Sequence, residues 1–467
     1  MSQTTISPHT QSAYVTRQLT TDVDIIVTKA RVAQKSWRKV QVEQRIAIGL
    51  RFVEEFKKLS EEIQKELTLQ MGRPITQNAG EVRGTVGRSE YMLSIAAQSL
   101  ADVELKDTDL PGFRRFIRRD PLGVVFVIAP WNYPFLTMIN SVLPAIIAGN
   151  AVILKPSPQT PVTAEQLHRA FAAALLPEDV LQVVHLSPET VTEFIKHPEV
   201  NFTSFTGSVQ NGRNVAKASV ENKWFPGVAL ELGGKDPAYV RADCDFDYTV
   251  AELVDGAFFN SGQSCCAVER IYVDSTIYDK FVAAYVELVK KYRLGDPTDT
   301  NTNLGPVVSV ASATRIRKQI ADAVKQGAKT LIPEDGYEIA KEGTAYVAPQ
   351  VLVDVDHTME VMMEESFGPI VGIMKVSSDE EALKLINDSP YGLTVSIWTA
   401  NEQAFLDMVD DIETGTVFQN RCDYLDPALA WTGVKWSGRG VSLSKFGRRR
   451  ARHPATSHGT RNCPAGF

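Results

Sequence analysis

Cysteine is scarce in this chain, with 5 in 467 residues, at 244, 265, 266, 422 and 463. With an odd count and no CxxC pair, no disulfide framework is indicated. Only 7 histidines are present, with no cluster of ligand spacing, so no metal site is expected. Cys265 and Cys266 are adjacent and bridge each other only with strain. A reducing compartment fits, and the cytoplasm is the expected location. Met1 to Thr5 show no basic region leading into an apolar stretch, so no secretory signal is expected. Long hydrophobic runs are also missing. The longest, such as 122–129, have the length of a strand and fall far short of a bilayer, so no membrane partner is expected. Positive charge is in deficit: the net charge of −7 disfavours nucleic acid and anionic membranes as partners. Neither GxGxxG nor the GK[ST] of a P-loop occurs, and no repeat or low-complexity linker is visible.

What is present is the composition of a soluble globular protein, 44% hydrophobic and 22% charged, long enough for two or three domains. The first hundred residues have helical periodicity, over 22–37 and 42–71, broken by Gly72-Arg73-Pro74. From 121 the texture changes to short continuous apolar runs alternating with helical stretches. Strands are predicted at 122–129, 151–154, 180–185 and 201–205, with helices at 135–148, 162–175 and 188–196 between them. That alternation predicts a parallel sheet wrapped by helices, whose ligands dock at the carboxyl ends of its strands. A second α/β set follows residue 234. The segment 113–119 predicts an exposed or edge strand.

Three loops fall at those carboxyl ends. In Pro130-Trp131-Asn132-Tyr133-Pro134 two prolines frame an amide able to donate to an oxyanion, although Asn and Pro are also ordinary turn residues. In Lys155-Pro156-Ser157 a lysine leaves a buried strand, which suits a nucleotide contact or a snorkelling surface side chain. In Phe205-Thr206-Gly207-Ser208 a helix start offers N–H groups to a pyrophosphate or simply caps the helix. Then come Glu231, before a Gly-Gly turn, and Cys265, after Gly262. A thiol and a carboxylate so framed suit covalent chemistry on a carbonyl. A surface Glu and a packed Cys are the bland alternatives.

Together the segments PWNYP (130–134), LKPS (154–157), FTGS (205–208) with Gly212, LELGGK (230–235), FNSGQSC (259–265) and EESFGP (364–369) resemble the aldehyde dehydrogenase superfamily in family order. The resemblance spans roughly residues 20–447. It implies an α/β fold with a Rossmann-type cofactor domain (1–101 and 121–233), an α/β catalytic domain (234–440) and a small oligomerisation β-segment (102–120). It implies that Cys265 is the nucleophile, that Asn132 and the Cys265 N–H bind the oxyanion, and that Glu231 activates water. NAD or NADP would be held by Trp131, Lys155, Ser157, Gly207, Ser208, Gly212, Leu232, Gly233, Glu365 and Phe367. The aldehyde, a small molecule, would sit among Tyr133, Thr137, Asn140, Ser264, Cys266 and part of 422–431, with Arg421 nearby. The general tone is similar to the succinate-semialdehyde branch. A coenzyme-A-acylating relative, or an impaired binding homologue, stays open.

Two departures stand out. Pro158 replaces the Glu that many NAD-preferring relatives carry, so NADP stays open. The chain after Phe446-Gly447 reads Arg448-Arg449-Arg450-Ala451-Arg452-His453-Pro454, and Pro454 and Pro464 oppose a strand. The tail 448–467 is therefore expected to be disordered, leaving 113–119 without the partner strand that a homodimer or homotetramer of the family uses.

Overall fold

The computed structural model describes residues 1–105, 113–447 and 452–460. Two parallel sheets organise it. The six-stranded sheet runs Gly438–Arg439, Gly227–Glu231, Val200–Thr206, Val124–Ile128, Ala151–Lys155, Leu181–Val183, all parallel except the two-residue edge strand Gly438–Arg439. Val124–Ile128 and Ala151–Lys155 are buried at every residue, which is why they read as unbroken apolar runs. The chain winds outward in one direction from Val124–Ile128, then crosses back to Val200–Thr206 on its other side. That reversal opens a crevice at the carboxyl ends of the two neighbouring strands.

The seven-stranded sheet begins with Asp236–Val240, five residues after Glu231 ends its strand, and is built from segments up to Thr416–Gln419. Its pairs are parallel apart from Lys329–Thr330 against Gln350–Val353. The helical start differs from its periodicity in one respect. The stretch 42–71 is two helices, Val42–Lys58 and Ser60–Met71, joined at Leu59. An N-terminal hairpin, Ser2–Ile6 with Ala13–Gln18, precedes them. Among the described residues no helix is long and apolar enough to cross a membrane.

The expectation for the tail is corrected. Arg452–Thr460 is a strand paired antiparallel with Phe113–Pro121 from Arg452↔Pro121 to Thr460↔Phe113, and Val103–Leu105 completes that three-stranded sheet. Residues 113–119 therefore do not lack a partner. The physical reason is position: Arg452–Thr460 lies at the sheet's outer edge, where only one side of the strand is paired. A proline there, Pro454 opposite Arg119, is compatible with pairing. Weak strand propensity is overridden by a ready-made partner. Residues 448–451 and 461–467, with Pro464, lie outside the described residues, so the expectation of disorder there is not addressed. A chain ending at Gly447 should lose this pairing and expose Phe113–Pro121 as an open edge. The expected outcome is a lower melting temperature and earlier heat aggregation by light scattering. Unchanged behaviour in both would show that the strand contributes nothing.

Candidate active site

Cys265 is presented by an unusual turn. Helix Phe246–Phe258 ends at Phe259, and Asn260, Ser261 and Gly262 follow at φ of 51°, 57° and 68°. Three successive left-handed residues need outside support, since only glycine adopts this region freely. Gly262 is also required sterically, because a Cβ there would lie 2.1 Å from the carbonyl oxygen of Gly368. Ser261 Oγ donates to the Gly305 carbonyl at 2.9 Å, Gln263 Nε2 to the Asn260 carbonyl at 3.1 Å, and Asn260 Nδ2 to the Gln263 carbonyl at 3.3 Å. The turn thus holds itself and delivers Cys265, half-buried, to a cavity of about 540 Å³.

The Asn132 loop reaches the same cavity and is fastened to the turn by Arg73, which is 1% exposed. Its Nε donates to Asn260 Oδ1 at 3.0 Å, Nη1 pairs with the Glu81 carboxylate, and Nη2 donates to the Asn132 carbonyl. The guanidinium also lies 4.4 Å from the centre of the Tyr133 ring. Glu81 in turn accepts from the Phe135 N–H at 2.8 Å, in the first turn of helix Pro134–Ile147, where a carboxylate complements the helix dipole. Asn132 Nδ2 donates to the Gln263 carbonyl at 3.2 Å, two residues before Cys265.

Glu231 ends its strand at the crevice and borders both this cavity and a smaller one of about 50 Å³, shared with Ser141, Ser204 and Ser442. Among the described residues Ser442 Oγ and Asn140 Nδ2, buried there, have no partner, a setting suited to ordered water. The five residues expected to line the substrate tunnel, Tyr133, Thr137, Asn140, Ser264 and Cys266, all border the main cavity. Arg421 borders it too, its guanidinium stacked 3.8 Å from the Tyr424 ring centre.

Around the crevice, Lys155 is 9% exposed at the end of its strand, and burial pulls its pKa down to about 8. No described residue accepts a hydrogen bond from its ammonium. Ser157 Oγ accepts from the Gln159 N–H at 3.2 Å. Ser208 caps helix Val209–Val220 by accepting from the Asn211 N–H at 3.4 Å, next to Gly207. Gly212 allows that helix onto Leu232, since a Cβ would sit 2.6 Å from its side chain. Glu365 is packed against Gly233 and accepts from the Gly234 N–H at 3.2 Å. Burial, and then the neighbouring Glu269 carboxylate, push Glu365 up to about 8. Trp131 and Phe367 meet edge to face at 5.5 Å. A buried lysine without an acceptor, a helix N-terminus and a buried carboxyl group around one crevice fit the hydroxyls and phosphates of a dinucleotide.

Three residues escaped sequence reasoning, Arg73, Glu81 and Arg88, while Asp423 falls within the 422–431 stretch expected to contribute to the substrate tunnel. All border the main cavity. Asp423, at a φ of 43°, accepts from Ser264 Oγ at 2.6 Å and from Cys266 Sγ at 3.1 Å, and burial pushes it up to about 6. Contact with Cys265, burial and the Asp423 charge all push the Cys266 thiol well above the ordinary range. Cys266 is 2% exposed, and these effects all favour its neutral thiol. Its position directly after Cys265 gave no hint of that.

The aldehyde dehydrogenase family model matches residues 2–451. Retinaldehyde dehydrogenase 3 of Homo sapiens is 36% identical over 332 residues, which is 71% of this chain but only 64% of that protein's length. The NADP(+) succinate-semialdehyde dehydrogenase of Mycobacterium avium (strain 104) is 34% identical over 393 residues, covering 84% of this chain and 82% of that one. A solved betaine aldehyde dehydrogenase from Staphylococcus aureus, in complex with NAD+, superposes with a TM-score of 0.92 at 27% identity, over 100% of this chain and 95% of that one. The chain belongs to the aldehyde dehydrogenase family and is an NAD(P)+-dependent oxidoreductase acting on aldehydes.

Proposed function

We propose that the chain oxidises an aldehyde to a carboxylic acid through a covalent intermediate on Cys265. The observation that carries this reading is the convergence of Cys265, Asn132 and Glu231 on one cavity, with Asn132 Nδ2 tied to the cysteine turn. The Cys265 thiolate adds to the carbonyl carbon to form a thiohemiacetal. The Asn132 amide and the Cys265 N–H are placed to receive the developing oxyanion, a neutral pair that does not compete for its proton. Bound NAD(P)+ supplies the hydride acceptor, and the carbon left on Cys265 is then a thioester. Glu231 takes a proton from water, which attacks that thioester and frees the acid and the thiolate. The small cavity that Glu231 shares with Ser141, Ser204 and Ser442 supports water as the second acceptor.

In the same reading the six-stranded half holds the dinucleotide. Lys155 and Ser157 face the adenine ribose, Gly207 and Ser208 with Gly212 the pyrophosphate, and Glu365, Phe367, Trp131, Leu232 and Gly233 the nicotinamide end. Catalysis then takes place where the seven-stranded half meets it. Assembly as a homodimer or homotetramer through the three-stranded sheet, in the cytoplasm, completes the proposal.

Two experiments test it. Cys265→Ala should abolish NAD(P)H formation, while Cys266→Ala should keep most of it. Equal loss in both folded variants would contradict the assignment. Pro158→Glu places a carboxylate where it repels a ribose 2′-phosphate, so kcat/KM with NADP+ should fall relative to NAD+ by roughly 10-fold or more. An unchanged ratio in steady-state kinetics would move the adenine ribose away from this loop.

A further inference from the structure

Helix Ile75–Ser94 runs along the main cavity and lines it with Gly80, Gly84 and Gly87. Each glycine inside a helix is destabilising relative to alanine, so three on one face need a reason. Close packing does not supply it for two of them. A Cβ at Gly80 or Gly87 would meet nothing within 4 Å, and only one at Gly84 would press on Leu136. The missing side chains leave the cavity wide beside the next lining residue of the helix, Arg88.

Arg88 is 8% exposed. Its Nη1 donates to the Leu136 carbonyl at 2.8 Å and to Asn140 Oδ1 at 3.3 Å, which fixes the plane of the guanidinium. Among the described residues Nε and Nη2 have no acceptor. The open edge is therefore the one that meets a carboxylate through two parallel N–H···O bonds. Burial lowers the Arg88 pKa from the ordinary arginine value, against the opposing effect of the neighbouring Cys266, Glu231, Glu81 and Cys265. Cys265 lines the same cavity as Arg88, so a group held by the guanidinium shares the space of the nucleophile. The other acids of the cavity leave this role open. Asp423 is engaged by Ser264 and Cys266, whereas Glu252 and Asp255 lie with Arg421 toward solvent.

The geometry points to a substrate class: an aldehyde that carries a carboxylate, gripped by the Nε–Nη2 edge of Arg88 while its carbonyl reaches Cys265. This rests on Cys265 being the nucleophile. The glycine face provides the room in which the chain between the two groups lies.

The test compares kcat/KM for succinic, glutaric and adipic semialdehydes with that for butanal, pentanal and hexanal. The native enzyme should favour at least one semialdehyde over its matched alkanal, and Arg88→Met should lower that value roughly 10- to 100-fold through KM while alkanals change less than about threefold. Arg88→Lys, which keeps the charge without the fork, should fall between. No preference in the native enzyme, or equal loss for both classes in Arg88→Met, overturns the proposal. Should Arg88→Met fail to fold, the native enzyme decides. Glutarate should compete with the aldehyde and glutaramide should not, and equal inhibition by the two overturns the proposal. Alkanal oxidation that survives Cys265→Ala would overturn the nucleophile assignment, and this proposal with it. Alkanal oxidation that is lost in Cys265→Ala, without a semialdehyde preference in the native enzyme, overturns the Arg88 proposal alone.

Discussion

The site depends on one buried cation. Arg73 is held by the Glu81 carboxylate, the Asn132 carbonyl, the Asn260 side chain and the face of Tyr133, so its charge is taken out of water only because every direction is answered. Removing one partner of such a pair leaves an uncompensated buried charge, a loss on the order of 3–5 kcal/mol. The arrangement is therefore close to all-or-none. It joins the helix that starts at Ile75, the loop that carries Asn132 and the left-handed turn that leads to Cys265. Two strained residues, Asn260 and Ser261, are kept in place by these contacts rather than by their own preference.

From that clasp follows the division of labour between neighbouring thiols. The turn brings Cys265 to the cavity half-buried, whereas Cys266, also on the cavity wall, is buried and hydrogen-bonded to Asp423. The carboxylates are sorted in the same way by their surroundings. Glu365 and Asp423 are pushed up by burial, and Glu231 lies at the wall between two cavities. The same residue types take different roles because the fold gives them different partners.

The elements legible in the sequence were those whose information is local. Val124–Ile128 and Ala151–Lys155 read as buried parallel strands because both faces are covered, and their loops stood out through Pro and Gly. Lys155, Ser208, Glu231 and Cys265 could be placed from those loops together with the family resemblance. Arg73 stood only as part of the break Gly72-Arg73-Pro74, and Glu81 and Arg88 looked like ordinary solvated charges, since nothing local separates a buried guanidinium from an exposed one. Their partners Asn132, Asn140 and Asn260 lie tens to nearly two hundred residues away in sequence, so only the tertiary fold makes them a group. Arg452–Thr460 failed for the opposite reason. Its composition opposes a strand, but an edge position beside Phe113–Pro121 asks little of side chains.

The central claim is that the clasped turn delivers Cys265, and not Cys266, to the carbonyl carbon. The most direct measurement is acid-quench peptide mass spectrometry of a Glu231→Gln enzyme mixed with aldehyde and NAD(P)+. With water no longer activated, the account predicts an acyl group accumulating on Cys265 in step with a single burst of NAD(P)H. An acyl group on Cys266, or a burst with no covalent adduct, would contradict it.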